Sequence, residues 1–268
     1  MLTERIFRGD LPAGGPLLIF GGPYSNLHAT RAMRAEADRR GIPADRTICT
    51  GDVVAYCAHP EETVAEVRDW GCHVIAGNVE RQLGEGALDC GCGFEEGTAC
   101  DLLSAGWYAH ANAQVSAETR SWMAGLPDVL ILGSQWGRLG FVHGGTRAVN
   151  RFLWPDTPDA VLRAEIAHLD AQPAYVFAGH SGIPFQRRVA DTFWVNAGVI
   201  GMPPHDGRTE TRYAVLHEDG QVEICTLTYD AEGAAAAMET AHLRQGYHTA
   251  LRSGFWPSED ILPAAFRR

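Results

Sequence analysis

The sequence predicts an α/β protein in which two mixed β-sheets are flanked by helices. Three observations support this. Short apolar segments rich in β-branched and aromatic residues recur along the chain and close on Gly, Asn or Asp. The first three are separated by stretches with helical spacing, which implies parallel pairing. A late hairpin pattern adds antiparallel pairing. At 268 residues, 46% hydrophobic and 21% charged, the chain is long enough to bury a sizeable core and reads as one domain over residues 1–268, without repeats or low-complexity linkers.

The elements follow in order. "PLLIF" reads as the first strand, Leu27 to Arg40 as the first helix and "TICTGDVV" as the second strand. Pro60 to Asp69 reads as the second helix, with Pro60 at a favourable first position and "EET" behind it. "CHVIAG" is the third strand, so the opening is β-α-β-α-β. The stretch from Glu80 to Asn112 is the least regular: it carries glycine, acids and three cysteines, its first half shows neither period, and it reads as an insertion or lid at about 80–112. Beyond Pro127 strands dominate, in "DVLILG", "LGFVHGG", "AYVFAG" and "FWVNAGVIG", with a helix from Pro158 to Asp170. "RYAVLHEDGQVEICTL" is a hairpin turning at Asp219-Gly220. A final helix, "AEGAAAAMETAHLRQ", follows.

A formal charge of −11 opposes binding to a nucleic-acid polymer or an anionic membrane, while a local basic pocket can still hold a small phosphate compound. No apolar run approaches the roughly 20 residues needed to span a bilayer. "MLTERIFRGDLPAGG" lacks the continuous apolar core of a secretory signal, so the expected location is the cytoplasm. In that setting seven cysteines read as thiols or metal ligands rather than a disulfide framework.

Several predicted strand ends close on a residue able to hold a metal: Asp52 in "TGD", Asn78 in "AGN", His143 in "VHGG" and His180 in "AGHSG". Oxygen and imidazole donors in this mixture suit Zn, Mn, Fe or Ni, and C-terminal strand edges are where open α/β sheets place ligands. Singly, each reads as a turn or a satisfied structural residue. Together and in order, GD, GN, H and GH resemble the calcineurin-like metallophosphoesterases, whose pattern runs D-x-H, GD, GNH[D/E], H, GHxH. The resemblance extends from Leu17 to about Leu227. It includes "GDVVAYCAHPEETVAEVRDWGCHVIAGN", "VHGGTR" and "VNAGVIGMPPHDG", which are similar to the corresponding stretches of the small bacterial phosphodiesterases. It implies a four-layer α-β-β-α sandwich and hydrolysis of phosphate esters at two bridged metal ions.

The departures from that pattern fall on one side of the site. D-x-H becomes "GPY", with Gly22 and Tyr24 at the ligand positions, and GHxH becomes "GHSG", with Gly182 in place of the last histidine. GNHD becomes "GNVE", so Val79 replaces the histidine that assists the leaving group. Asp52, Asn78, His143 and His180, the set that the resemblance assigns to the second metal, remain. The expectation is one divalent transition metal on these four residues and a small phosphate-containing substrate, with Asp52 and His143 most important for turnover. Tyr24, Asn26 in the family-like "SNL", Arg81 and Arg147 are candidate substrate contacts; guanidinium groups bind phosphate by paired hydrogen bonds. Tyr24 serves equally well as a filler of the missing metal's volume. His28, His59 and His205 are candidate acids, although His28 near the start of the first helix is expected to face solvent.

Cys57, Cys90, Cys92 and Cys100 form a second constellation that could close a tetrahedral structural zinc site; free thiols in a loop are the alternative. Two function classes compete. One is a divergent metal-dependent phosphoesterase with a one-metal or rebuilt site. The other is a catalytically inactive relative that binds a nucleotide, metal or partner. The retained ligand set favours the first.

Overall fold

A computed structural model describes residues 5–169 and 171–268. The first half of the chain forms β1 (Ile6–Asp10), β2 (Leu17–Phe20), α1 (Leu27–Arg40), β3 (Thr47–Cys49), α2 (Pro60–Trp70), β4 (His73–Val74), α3 (Asn78–Glu85), α4 (Ala99–Gln114) and α5 (Ala117–Gly125). The second half forms β5 (Val129–Ser134), β6 (Gly137–Val142), α6 (Asp159–His168), β7 (Tyr175–Ala178), β8 (Phe185–Val189), β9 (Thr192–Asn196), β10 (Thr211–Leu216), β11 (Val222–Leu227), α7 (Ala231–Thr240) and α8 (Tyr247–Ser253).

Two mixed sheets result. One has the order β1-β5-β6-β7-β9-β8 and the other β11-β10-β2-β3-β4. In the second, β2, β3 and β4 run parallel while β10 and β11 close it as an antiparallel hairpin. The period-two alternation of a strand separates the layers. Leu17 and Ile19 on β2 face the other sheet, in a core shared with Leu130, Leu132, Phe141 and Phe177. Leu18 and Phe20 face outward and pack with Met33 and Ala37 of α1 and Val64 and Val67 of α2. On the opposite side, Val129, Ile131, Val176 and Trp194 pack under Leu162 of α6. The order of layers is therefore helix, sheet, sheet, helix, the expected four-layer sandwich.

The first helix coincides with its predicted span, and the second ends one residue later than predicted, at Trp70. Asn26 caps α1, its side chain accepting from the Ala29 N–H, and Pro60 occupies the first turn of α2. Four differences stand out. β1 lies in the charged opening stretch and pairs in parallel with β5 at the sheet edge, leaving Phe7 51% exposed; no residue of this edge strand is buried. β8, α3, α5 and α8 were not anticipated. The second half of the irregular stretch is a full helix, α4, started by the Thr98 cap. The predicted helix from Pro158 is observed at Asp159–His168, and its expected end at Asp170 lies outside the described residues. Among the described residues, no helix is long and apolar enough to cross a membrane.

The two sheets meet so that β3, β4, β6 and β7 all end at one edge, and the segments that follow them are stitched together. The Thr50 N–H donates to Phe20 O, Ile75 N–H to Cys49 O, and Gly179 N–H to His143 O, at 2.9, 3.1 and 2.8 Å.

One stability consequence follows from the cap. Asn26 is 1% exposed and uses both ends of its amide, Oδ1 on Ala29 N–H and Nδ2 on Gly201 O at 3.1 Å. Asn26→Ala removes both bonds and leaves the Gly201 carbonyl buried without this donor, so it should lower unfolding free energy by about 2 kcal/mol in urea titration.

Candidate metal centre

Asp52 and Asn78 are brought together by the turns that hold them. Asp52 has φ +53°, a left-handed conformation that costs a non-glycine residue energy and is concentrated at functional sites. The Asp52 turn packs directly on Gly77, where an added Cβ would collide with the Asp52 carboxylate. The glycine of the GN pair is thus required by close approach. Asp52 Oδ1 then accepts from the Val79 N–H (3.3 Å) at the start of α3, where the unpaired amides of a helix favour a carboxylate.

A buried carboxylate not singled out from the sequence fixes this contact. Glu80 is fully buried, and its Oε2 accepts from both the Asp52 N–H (2.7 Å) and the Gly77 N–H (2.8 Å). Burial and the neighbouring Asp52 charge raise its pKa to about 7, against the backbone amides that favour the ionised form. Its position in "GNVE", at the acidic place of GNH[D/E] and in the first turn of a helix, was the available signal.

His143 follows β6, and its Nδ1 lies 2.7 Å from the Thr50 carbonyl oxygen. A carbonyl only accepts, so Nδ1 carries the proton and Nε2 points into the site. Around Nε2 stand His180 Nδ1 at 3.0 Å, Asn78 Oδ1 at 3.2 Å and Asp52 Oδ2 at 3.2 Å. Asn78 is oriented by its own amide, whose Nδ2 donates to Cys90 O at 2.9 Å. His180, at φ +52° after Gly179, completes the set. Asp52, His143 and His180 form a buried cluster whose donor atoms all lie within 4.8 Å of one another, and among the described residues it is the only such group of His, Cys, Asp and Glu.

Three groups with lone pairs therefore surround Nε2, where one proton can satisfy only one of them. Burial works against charge on Asp52, but His143 and then His180 outweigh it, and the carboxyl lies below its ordinary range. Burial also opposes charge on His143, but Asp52 prevails and raises its pKa. His180 is lowered to about 3, first by burial and then by His143. Two imidazoles, a carboxylate and an amide oxygen converging in one buried place match the preferences of a divalent transition metal.

The positions where the family pattern places the other metal's ligands are differently filled. Gly22 has φ +38°, and a Cβ there would come within 2.6 Å of the Tyr24 ring and 2.7 Å of Val199. Tyr24 is 5% exposed, turns its ring over Gly22 and meets Tyr56 edge-on with centroids 4.8 Å apart. Burial, with Asp52 and Glu80 nearby, raises its pKa well above the usual phenol value. Gly182 borders Trp256. Aromatic and aliphatic volume occupies this side.

The remaining predicted residues divide. Arg147 is exposed and lines an open cleft of about 880 Å³ that also includes Asn78 and His143. Arg81 lines the same cleft but is tied to Asp128 Oδ1 at 2.6 Å and Leu126 O at 2.7 Å. Asn26 is committed to the α1 cap and Gly201, so the geometry makes it a structural residue and not a substrate contact. His28 is half-buried rather than solvent-facing, 5.9 Å from the His59 ring, and His205 is held by Glu259 and Trp256. None of the three histidines lines a cavity at the cluster.

The four-cysteine zinc site does not form. Cys90 and Cys92 pair with each other as a disulfide. The buried Cys57 Sγ lies 3.8 Å from Gly201 O, and Cys100 lines an apolar cavity. The Cys90–Cys92 segment docks over the cluster instead, through Asn78 and through Asn150 Nδ2, which donates to Gly91 O at 3.0 Å. A second unanticipated carboxylate, fully buried Glu165 of α6, accepts from the Thr146 N–H at 2.6 Å and from Arg151 Nη1 at 2.5 Å, fixing the loop after His143. Nothing in the linear sequence pairs Glu165 with that loop.

Known proteins share this chain's sequence pattern and its fold. The family model described as the calcineurin-like phosphoesterase superfamily domain matches residues 22–221. An uncharacterized protein of Methanocaldococcus jannaschii is 26% identical over 230 residues, 79% of this chain and 86% of that protein. The crystal structure of a metallophosphoesterase from Sphaerobacter thermophilus superposes with a TM-score of 0.71 at 22% identity, covering 91% of this chain and 100% of that one. A hypothetical protein from Pyrococcus horikoshii gives 0.72 at 16% identity, covering 89% and 98%. These two likenesses establish the fold.

Two measurements test the local chemistry. Glu80→Ala removes three hydrogen bonds from backbone N–H groups, those of Asp52, Val54 and Gly77. It should cost about 3 kcal/mol in denaturant unfolding and weaken divalent-metal binding roughly 10–100-fold by calorimetry. Thiol titration of the unfolded, unreduced chain should count the five free cysteines (Cys49, Cys57, Cys72, Cys100, Cys225), with Cys90 and Cys92 appearing only after reduction.

Proposed function

The chain belongs to the calcineurin-like phosphoesterase superfamily, and from that premise we propose that it hydrolyses a phosphate ester or phosphodiester at a single divalent cation held by Asp52, Asn78, His143 and His180. The observation that carries the proposal is the convergence of Asp52 Oδ2, Asn78 Oδ1 and His180 Nδ1 within 3.2 Å of His143 Nε2. When bound there, a divalent cation would supply Lewis acidity to polarise a phosphoryl oxygen and acidify water.

The protein's own residues supply the rest. Asp52 is held by Val79 N–H and by Glu80 through its backbone, so its outward oxygen stays aimed at the site. The His143 ring is fixed by the Thr50 carbonyl and keeps its lone pair toward the cluster. Arg147, at the mouth of the cleft, orients a phosphate by paired N–H bonds. Its loop is kept in place by Glu165. Tyr24 fills space beside Gly22, and its raised pKa keeps the phenol neutral.

The test is metal analysis combined with an activity panel of phosphomonoesters, phosphodiesters and dinucleoside polyphosphates. Protein purified without added metal should carry up to one ion per chain at this cluster, and His180→Ala should abolish it. Asp52→Asn should remove metal-dependent turnover, whereas Tyr24→Phe should retain it. A loaded protein that turns over no member of the panel, or a metal content unchanged in His180→Ala, contradicts the proposal.

A further inference from the structure

We propose that the organic group of the substrate is flat and largely apolar and lodges in an aromatic cavity beside the cation cluster; this rests on the phosphoesterase reading above. The cluster forms a wall between two cavities. The open cleft of about 880 Å³ shares Asn78 and His143 with it and presents the Arg147 side chain. The second cavity, of about 50 Å³, shares His180 and is walled by Tyr24, Phe94, Phe152 and Trp256. His180 belongs to both surroundings: Nδ1 faces His143, while its ring packs on Phe152 with centroids 4.2 Å apart.

A phosphorus atom at the cluster must send its substituents to one side or the other. Charged oxygens placed in the aromatic cavity would lose water without gaining enough donors, a penalty that guanidinium and solvent in the cleft avoid. The ester's carbon substituent has the opposite preference, because apolar surface gains by leaving water and π-faces stack. The absence of a side chain at Gly182 opens this volume; a Cβ there would lie 3.3 Å from Trp256. Ring faces on several sides select a planar group. Phe94 is half-buried between α3 and α4 and stacks on Phe152 at 6.1 Å, so it is the wall that can yield as the group enters.

The test uses two non-hydrolysable probes, 1-naphthylphosphonate and methylphosphonate, titrated by calorimetry into the manganese-loaded protein. The expected result is roughly tenfold or tighter binding of the naphthyl compound. That ratio should collapse towards one in Phe94→Ala, which removes a wall, and in Ile261→Trp, which fills the cavity from its rim. If methylphosphonate binds and the naphthyl compound binds no tighter, the aromatic cavity is not a subsite while the phosphoesterase reading stands. A naphthyl preference that survives both variants also overturns the proposal. Failure of the loaded protein to bind either probe counts against both readings.

Discussion

The site depends on one contact, the junction of the Gly51-Asp52 and Gly77-Asn78 turns under the Glu80 carboxylate. Two parallel strands, β3 and β4, deliver these turns to neighbouring points on the sheet edge, but strand pairing alone does not set their separation. Glu80 does so by accepting backbone N–H groups from both sides at 2.7 and 2.8 Å. A buried carboxylate held by these two donors, and by the Val54 N–H at 3.4 Å on its other oxygen, is a stiff tether, because losing a donor would leave it undersolvated. Asp52, held in a left-handed conformation, can then aim one oxygen at α3 and the other at His143.

The opposite sheet contributes the imidazoles, and the two halves meet only because the sheets pack face to face. The Leu17, Ile19, Phe141 and Phe177 core sets that distance, and the Thr50 carbonyl reaches across it to orient His143. The stability of the inter-sheet core and the geometry of the cluster are therefore coupled. A core substitution that shifts one sheet would move two of the four donors relative to the others.

Beside this cluster the loss of polar ligands is accompanied by a coherent repacking. Gly22 lies against Tyr24 and Val199, and Gly182 against Trp256 and Val199, so the two glycines are matched to aromatic and aliphatic neighbours that occupy the volume. The segment around the Cys90–Cys92 disulfide docks on the cluster through Asn78, which it orients through the Cys90 carbonyl, and through Asn150. The result is an asymmetric site, wide and bordered by Arg147 on one side, narrow and largely apolar towards Tyr24 and Phe152 on the other.

The sequence by itself determined the layered fold, because two periods are written locally: alternation in segments such as Leu17–Phe20, and caps such as Asn26 and Pro60 at helix starts. It also determined which four strand ends carry donor atoms, since Asp52, Asn78, His143 and His180 each follow an apolar run and sit next to glycine. What it left open were contacts between residues distant in the chain. Edge strand β1 was hidden because an exposed strand with charged residues lacks a strong period. The four cysteines suggested a shared metal by composition, but spacing along the chain does not fix Sγ positions, and the tertiary structure paired Cys90 with Cys92 and left Cys57 under Gly201. Arg81 looked like a phosphate ligand until folding placed Asp128 beside it, and Asn26 until Gly201 arrived at its amide. Glu165 became a support for the loop after His143 only when α6 packed on its sheet. Local propensity is a property of neighbours in sequence, whereas partner choice for a buried polar group is decided by which chain segments the packed core brings within about 3 Å.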